Sequence, residues 1–342
     1  MSSLLRISIS CCLLLSSIVS ARSNEKVVQE IQSSHLTGHQ SLSFKDKDRQ
    51  REVKAFVWYP VQESVKWEPS PSLYPWGRIA NNAEIKDKTK HKPLIVISHG
   101  FAGEPDEFYW LIETLVKANY MVLATKHHDL PPHINYWHRA ADIKFMLTEF
   151  LKSPVGKSVD PSKVGFVGFS LGGMTGISLA GAVINTKGIV PQDTHVRLPL
   201  IREDAKKSLP GLDKARMEAN YHDPRIKAEF LFAPAWAWLF SAEELKKIKI
   251  PMYIVSGDKD EVLVPETNGL WYAQNIHHAK FQWIKGCNHF AFLGAPTYKG
   301  RQTMEKNGSM DYLFEDPHGV QRSFVHEQMK RSIVQFFNSV LR

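Results

Sequence analysis

The sequence predicts an α/β protein built on one mainly parallel sheet, with helices covering both faces. Three observations carry this. Continuous apolar runs such as "KPLIVIS" and "KVGFVGF" read as strands buried on both sides, since a strand with one wet face would alternate. Segments with apolar residues on one helical face follow most of these runs. The alternation begins behind two runs of alternating apolar and polar residues that read as an antiparallel hairpin. Strands separated by helices in this way make parallel, crossover connections.

Taken in order, the hairpin "SLSFKDKDRQREVKAFVWYP" turns around residues 45–49, where charge interrupts the apolar period. The next stretch, "QESVKWEPSPSLYPWGRIANNAEIKDKTKHK", is rich in Pro, Asn and charge and is expected to be a long surface loop. "KPLIVISHG" is the first fully buried strand. Pro105 then opens a helix, its fixed φ suiting a first turn, with Phe108, Leu111, Ile112 and Leu115 on one face. "YMVLATKHH" is the next strand, and a helix around residues 140–151 turns Ile143, Met146, Leu147 and Phe150 inward. "KVGFVGFS" is a strand and "LGGMTGISLAGAVI" its helix.

Between about residues 185 and 223 a charged, Pro-containing insertion breaks the alternation and is expected to form a cap. The pattern resumes with "AEFLFAPAW", a helix at "SAEELKKI", the strand "IPMYIVSGD", a helix near "ETNGLWYAQNI" and the strand "KFQWIKG". A terminal amphipathic helix carries Val325, Met329, Ile333 and Phe336 on one stripe. No internal repeat or low-complexity tract is present.

In a sheet of this kind ligands bind outside the carboxyl ends of the strands. Four loops at those ends carry reactive residue types. "GFSLGG" places Ser170 between a strand and a helix, with Gly168 and Gly172 leaving room for a tight turn and close packing. The Leu171 N–H, at the start of the new helix, would face an oxyanion and benefit from the helix dipole. "SHGFAG" bends so that the Phe101 N–H supplies a second donor, while His99 reads as a structural hydrogen-bonder of the turn. "SGDKDEVLVP" offers Asp258 and Asp260. The G-x-x-D spacing from Gly257 favours Asp260 as the acid that orients a histidine, with Asp258 as a turn former. "GCNHFAF" carries His289, the one histidine that follows a strand so late in the chain. His277 and His278 lie near a helix end, and His318 and His326 in or near the last helix.

A chain of 342 residues, 43% hydrophobic, can bury the core of one large α/β domain. Its formal charge of +8 is spread out, with no dense Lys/Arg run and no basic patch interleaved with aromatics, so a nucleic-acid partner is not expected. The start, "MSSLLRISISCCLLLSSIVSARS", has Arg6, an apolar run over residues 7–19, and Val19 and Ala21 at the −3 and −1 positions of a cleavage site. This is the layout of a signal peptide over residues 1–21, leaving 22–342 as the folded domain and predicting a secreted or periplasmic protein. An uncleaved anchor is the alternative, although the run is short for a membrane span. Cys11 and Cys12 fall in this leader, so Cys287 has no partner for an intramolecular disulfide.

The chain order Ser170, Asp260, His289 matches the triad of α/β-hydrolases. Together, "VKAFVWYP", "LIVISHGFAG", "VGFVGFSLGG", "DPRIKAEFLFAPAW" and "CNHFAFL" resemble the bacterial predicted dienelactone hydrolases related to platelet-activating factor acetylhydrolase, within the α/β-hydrolase fold. The resemblance spans nearly everything from about Ser41 to the C-terminus. It implies ester hydrolysis by Ser170 with no metal and no organic cofactor. Two departures shape what is carried over. Dienelactone hydrolases use a cysteine nucleophile, where this chain has Ser170. Eukaryotic platelet-activating factor acetylhydrolases carry their acid after the preceding strand, where this chain has "FAPAW", so here the acid is expected from the later loop.

The expectation is therefore a serine esterase with Ser170, His289 and Asp260 as its triad and the Phe101 and Leu171 N–H groups as its oxyanion hole. Its partner would be a small-molecule or lipid ester. A phospholipase or lipase is the runner-up, with the insertion capping an acyl pocket and the protein making peripheral contact with a membrane. A non-catalytic binding protein on the same scaffold is the third reading.

Overall fold

The chain enters its sheet through a hairpin. Strands β1 (Leu36–Asp46) and β2 (Arg51–Pro60) pair antiparallel, from Thr37 opposite Pro60 to Asp46 opposite Arg51. Asp46 Oδ1 closes the turn by accepting the N–H groups of Asp48 and Arg49. Asp142, further along the chain, accepts from both Arg49 and Arg51 at 2.6 and 2.8 Å and ties the hairpin down. In this computed structural model residues 35–342 are described, except 71, 90, 129–135, 188–194, 198–202, 204–212, 307–312 and 317. The expected leader at 1–21 lies outside the described residues, as does most of the insertion at 185–223.

The stretch expected as a surface loop is partly strand. β3 (Glu68–Pro69) and β4 (Arg78–Asn81) extend the sheet, β4 parallel to β1 and β3 antiparallel to β4. Tyr74, Trp76, Ile79 and Ala80 are buried there. Four residues are too few to display a period of two, so the Pro-rich composition hides the strand.

β5 (Lys92–Ser98), β6 (Met121–Ala124), β7 (Val159–Phe169), β8 (Ile226–Phe232), β9 (Met252–Gly257) and β10 (Ala279–Ile284) complete a 10-stranded sheet in the order β10-β9-β8-β7-β5-β6-β2-β1-β4-β3. From β10 to β6 all neighbours are parallel. Every residue of β5 and β6 is buried, as their unbroken apolar runs require.

Among the described residues the helices are α1 (Tyr109–Lys117), α2 (Trp137–Lys152), α3 (Leu171–Leu179), α4 (Lys214–Met217), α5 (Ala242–Leu245), α6 (Gly269–Asn275), α7 (Tyr298–Lys306) and α8 (Arg322–Leu341). Pro105 opens a short 3₁₀ turn ahead of α1, and Phe108, Leu111, Ile112 and Leu115 are all fully buried. α1 packs with α8, and α2 with α3. On β7, Gly165 lies against Phe337 of α8, while the next residue, Phe166, lies against Gly176 of α3. Successive strand residues point to opposite faces, so the two helix pairs cover opposite sides of the sheet.

Two elements differ from the sequence reading. α3 stops at Leu179 rather than running to Ile184, because Gly181 adopts φ 110° and ends the helix. In α8 the fully buried position is Phe337 rather than Phe336, continuing the four-residue step from Val325 through Met329 and Ile333. Burying that ring contributes about 1.5–3 kcal/mol. Phe336 still packs on its flank, against Phe230 and Tyr253.

The chain steps from β5 to β6 in one direction and then crosses back to β7 on the other side of β5. That reversal opens a crevice at the carboxyl ends of β5 and β7. Ser98 ends one strand and Ser170 follows the other.

Candidate active site

Ser170 sits at φ 52°, ψ −115°, between β7 and α3. A non-glycine residue held there costs about 1–3 kcal/mol, so the surroundings must impose it. They do so through the backbone. The Ser170 N–H donates to the Phe232 carbonyl at 2.9 Å, and its own carbonyl accepts from Gly173 at 2.9 Å and Ala235 at 3.0 Å. Glycine is required on both sides: a Cβ on Gly172 would overlap the Ser98 carbonyl, and one on Gly168 would overlap the Gly172 carbonyl. Helix α3 therefore starts flush against the end of β5.

The loop at residues 99–103 lies beside this serine. A Cβ on Gly100 would meet the Phe169 ring at 3.0 Å and Ser170 Cβ at 3.6 Å. Phe101 follows, 40% exposed. Leu171 is the first residue of α3, so its N–H has no partner within the helix.

A buried network braces this loop from below. His99 Nδ1 donates to the Gly100 carbonyl at 2.7 Å, and His99 Nε2 accepts the His127 N–H at 2.9 Å. The His127 ring bonds Ser98 Oγ at 2.9 Å. The Arg139 guanidinium, 1% exposed, donates to the His99 carbonyl and, at 3.4 Å, to that of Gly100. Burial, and then the charge of Arg139, push His99 and His127 well below the usual histidine range, so both are neutral. With both ring nitrogens engaged, His99 is a brace. The sequence singled out neither His127 nor Arg139, whose partners lie about 30 to 40 positions away in the chain.

Across the crevice, His289 Nδ1 bonds Asp260 Oδ2 at 2.7 Å, with the two residues 2% and 1% exposed. Asp260 Oδ1 accepts the N–H groups of Val262 at 2.9 Å and Leu263 at 2.7 Å, which fixes the carboxylate plane. This pairing leaves Nε2 as the imidazole's other nitrogen. The ring of Phe169, the residue before Ser170, packs 4.9 Å from the imidazole. No hydrogen bond joins Ser170 Oγ to His289 in this structure, and such bonds are often long until substrate closes the site. Asp258 points elsewhere, accepting the Gly286 N–H at 2.5 Å.

The two loops are zipped together. Asp258 N–H donates to the Ile284 carbonyl and Lys259 N–H to the Cys287 carbonyl. Glu261 Oε2 accepts the His289 N–H at 3.0 Å. His326 stacks on Trp110 at 4.2 Å, and its Nε2 bonds the Ala291 carbonyl at 3.0 Å. Burial pushes His326 down to about 4, so it is neutral while doing this. Cys287 is fully buried and donates to the Asn288 carbonyl, and burial raises its thiol well above the usual range. It is a packing residue.

The described end of the insertion lies on the acid loop. Val196 bridges to Leu263, Arg197 N–H donates to the Val262 carbonyl at 2.7 Å, and Arg197 Nη1 reaches the Asp260 carbonyl at 2.5 Å. Asn268 joins three segments. Its Oδ1 accepts from Trp236 and Ala237, while its Nδ2 donates to the carbonyls of His195 and Val264. Trp236 is held at φ 64° and stacks on Trp238 at 5.0 Å. Tyr136 packs 4.5 Å from Trp236, so the segment following Ala235, which bonds Ser170, is aromatic.

The arrangement offers a hydroxyl at a strained turn, a histidine oriented by a carboxylate, and the first N–H of α3, that of Leu171, next to the serine. Among the described residues no cluster of three His, Cys, Asp or Glu side chains could hold a metal ion. No protein-family model and no curated protein matches this chain. Solved structures do. A ferulic acid esterase from Streptomyces cinnamoneus is similar at a TM-score of 0.57 and 17% identity, over 90% of each chain. Carboxyl esterase 2 from the mycorrhizal fungus Tuber melanosporum is similar at 0.53 and 16% identity, over 91% of this chain and 88% of that one. At such identities the likeness speaks for architecture, and with the strand order it establishes an α/β-hydrolase fold.

Proposed function

We propose that this α/β-hydrolase-fold chain is a serine esterase that cleaves carboxylic esters through an acyl-enzyme. The observation that carries the reading is the buried Asp260–His289 pair on the same sheet edge as Ser170, which is held at positive φ. His289 Nε2 takes the proton of Ser170 Oγ as that oxygen bonds to the ester carbonyl carbon. The carbonyl oxygen takes up the electron pair, and the Phe101 and Leu171 N–H groups stabilise it. The intermediate collapses, the C–O bond to the alcohol breaks, and the leaving oxygen takes the proton from His289. Water then gives a proton to His289 and attacks the acyl carbon. As this second intermediate collapses, the bond to Ser170 Oγ breaks, His289 returns the proton to that oxygen and the acid leaves. Asp260 holds the imidazole tautomer and stabilises the imidazolium throughout. The esterase names of the two similar structures add to the same reading.

Ser170→Ala tests it. The expected result is a folded protein with a rate lower by about 10⁴-fold or more. Near wild-type turnover by that variant overturns the mechanism, and a parent inert on every ester overturns the function. A panel of p-nitrophenyl esters from acetyl to palmitoyl, with phospholipid alongside, reads the acyl group. Lipase or phospholipase action is the same chemistry on longer chains, and a rate rising towards palmitoyl, or fatty acid released from phospholipid, assigns it. We also read residues 1–21 as an export signal. N-terminal sequencing of exported protein should begin at Arg22, and Met1 on protein from the cytoplasm would contradict this.

A further inference from the structure

Away from the Ser170 crevice, the antiparallel end of the sheet carries two adjoining clefts. The first holds about 320 Å³ and has Trp58, Trp76 and Ile79 among its apolar lining and His39, Asn81, Ser72 and Asp106 among its polar lining. The second holds about 310 Å³, shares Phe56, Ser72 and Asp106 with the first, and continues to Glu104 and Pro105. Each falls within the roughly 300–1,000 Å³ typical of small-molecule sites. Glu104, in the lining of the second cleft, directly follows in the chain the loop that carries Phe101.

The sheet register builds this surface. β1 sets His39 opposite Trp58 and Ser41 opposite Phe56, and β4 brings Asn81 opposite His39. A period of two puts Phe56 and Trp58 on one face. The rings of His39 and Phe56 are half-buried and lie within 12° of parallel. Trp58 is 5.4 Å from His39 and is covered in turn by Trp76, stacked at 5.6 Å and 10°. Trp58 and Trp76 are buried, so the accessible aromatic surface of the cleft is that of His39 and Phe56. Polar groups flank it on both sides: His39 Nδ1 bonds Asn81 Oδ1 at 3.0 Å, and Ser72 Oγ donates to Asp106 Oδ2 at 2.5 Å. Those bonds leave the Asn81 amide N–H groups as donors and Asp106 Oδ1 as an acceptor.

We propose that the paired clefts are a carbohydrate-binding subsite. A pyranose ring has an apolar C–H face that matches near-parallel, half-exposed rings, and hydroxyls that both donate and accept. The flanking groups supply both roles, with carboxylates at Asp106 where the clefts join and at Glu104, paired with Lys126, further along the second. A quaternary ammonium ion would need open ring faces enclosing it, and here Trp58 and Trp76 cover one another. An acyl chain would leave the polar flanks without partners. Since the second cleft is lined by Glu104, which follows loop 99–103 in the chain, sugar esters are the substrate class the subsite would select. That last step rests on the esterase reading, whereas the binding does not.

The test is calorimetric titration of the protein with cellotetraose, xylotetraose and chitotetraose, none of which carries an ester. At least one should bind with Kd at or below about 1 mM, and Asn81→Ala and Phe56→Ala should each weaken it by about tenfold or more. Asn81 is exposed, so its variant decides the matter if Phe56→Ala fails to fold. Three inert sugars would overturn the proposal. So would unchanged binding by variants that keep the parent's melting temperature, or tetramethylammonium ion binding in the sugars' place. Hydrolysis of p-nitrophenyl acetate is measured on the same sample. A protein that binds sugar but cleaves no ester loses the esterase reading and keeps the subsite, and the converse result does the reverse.

Discussion

Asp258 and Asp260 stand two positions apart on one turn and face different partners. Asp260 engages the imidazole and two backbone N–H groups, while Asp258 caps the turn after β10. In the proposed mechanism an Asn at 260 keeps the shape but favours the wrong imidazole tautomer and leaves the imidazolium uncompensated. Asp260→Asn should therefore lose about 10⁴-fold in kcat, whereas Asp258→Asn should lose little. Steady-state rates on p-nitrophenyl acetate decide, and the reverse ranking would remove Asp260 from the mechanism. The strained backbone of Ser170 belongs to the same scale. Alanine tolerates that φ no better than serine, so Ser170→Ala tests the hydroxyl alone.

The elements are held in place by a few buried polar side chains that bridge them. Asn268, just ahead of α6, is 1% exposed and makes four hydrogen bonds to three separate segments. Asn268→Asp keeps the shape but turns the amide donors into an acceptor facing two carbonyls. The His195 and Val264 carbonyls keep backbone donors from Val264 and Thr267, so the expected cost is about 1–3 kcal/mol, from the two lost amide bonds and the carboxylate oxygen set against two carbonyls. It is read as a lower urea midpoint, and an unchanged midpoint would show that the bridge carries no stability. The tie between Asp142 of α2 and the two hairpin arginines works in the same way. The arginines are partly exposed and Arg49 keeps Asp46, so Asp142→Ala should cost about 1.5–3 kcal/mol, the range for hydrogen bonds to charged groups, read as a lower urea midpoint.

Across the whole molecule, one core group gives stability a pH dependence. Glu229 on β8 is fully buried, and neither carboxyl oxygen has a hydrogen-bond partner. It lies against Gly176 of α3, beneath the helix that Ser170 opens. Burial raises its carboxyl well above the ordinary 4.5, so the fold keeps a proton that the unfolded chain releases. Its contribution is fully present below 4.5 and is lost as pH rises through the folded value. Glu229→Gln keeps the neutral shape without the titration. Its melting temperature should exceed the parent's at about pH 8 by more than at about pH 5. Equal differences at both would mean that Glu229 does not couple folding to protons.

Much of this molecule is written locally. The period of the apolar runs determines the central strands and helices, because a strand buried on both faces and a helix buried on one need different spacings. Gly-x-Ser-x-Gly marks Ser170 because only glycine fits where β7, α3 and β5 meet. What lies beyond local reach was decided by the tertiary structure. β4 is too short to show a period, and its place in the sheet depends on pairing with a strand about 40 residues away. His127, Arg139, Arg197 and Asn268 carry no motif, and each acquires its role from groups on segments distant in the chain that the fold brings near. The choice between Asp258 and Asp260 is of the same kind. Turn chemistry allows both, and only the packing of the β9 and β10 loops sets the imidazole against one carboxylate.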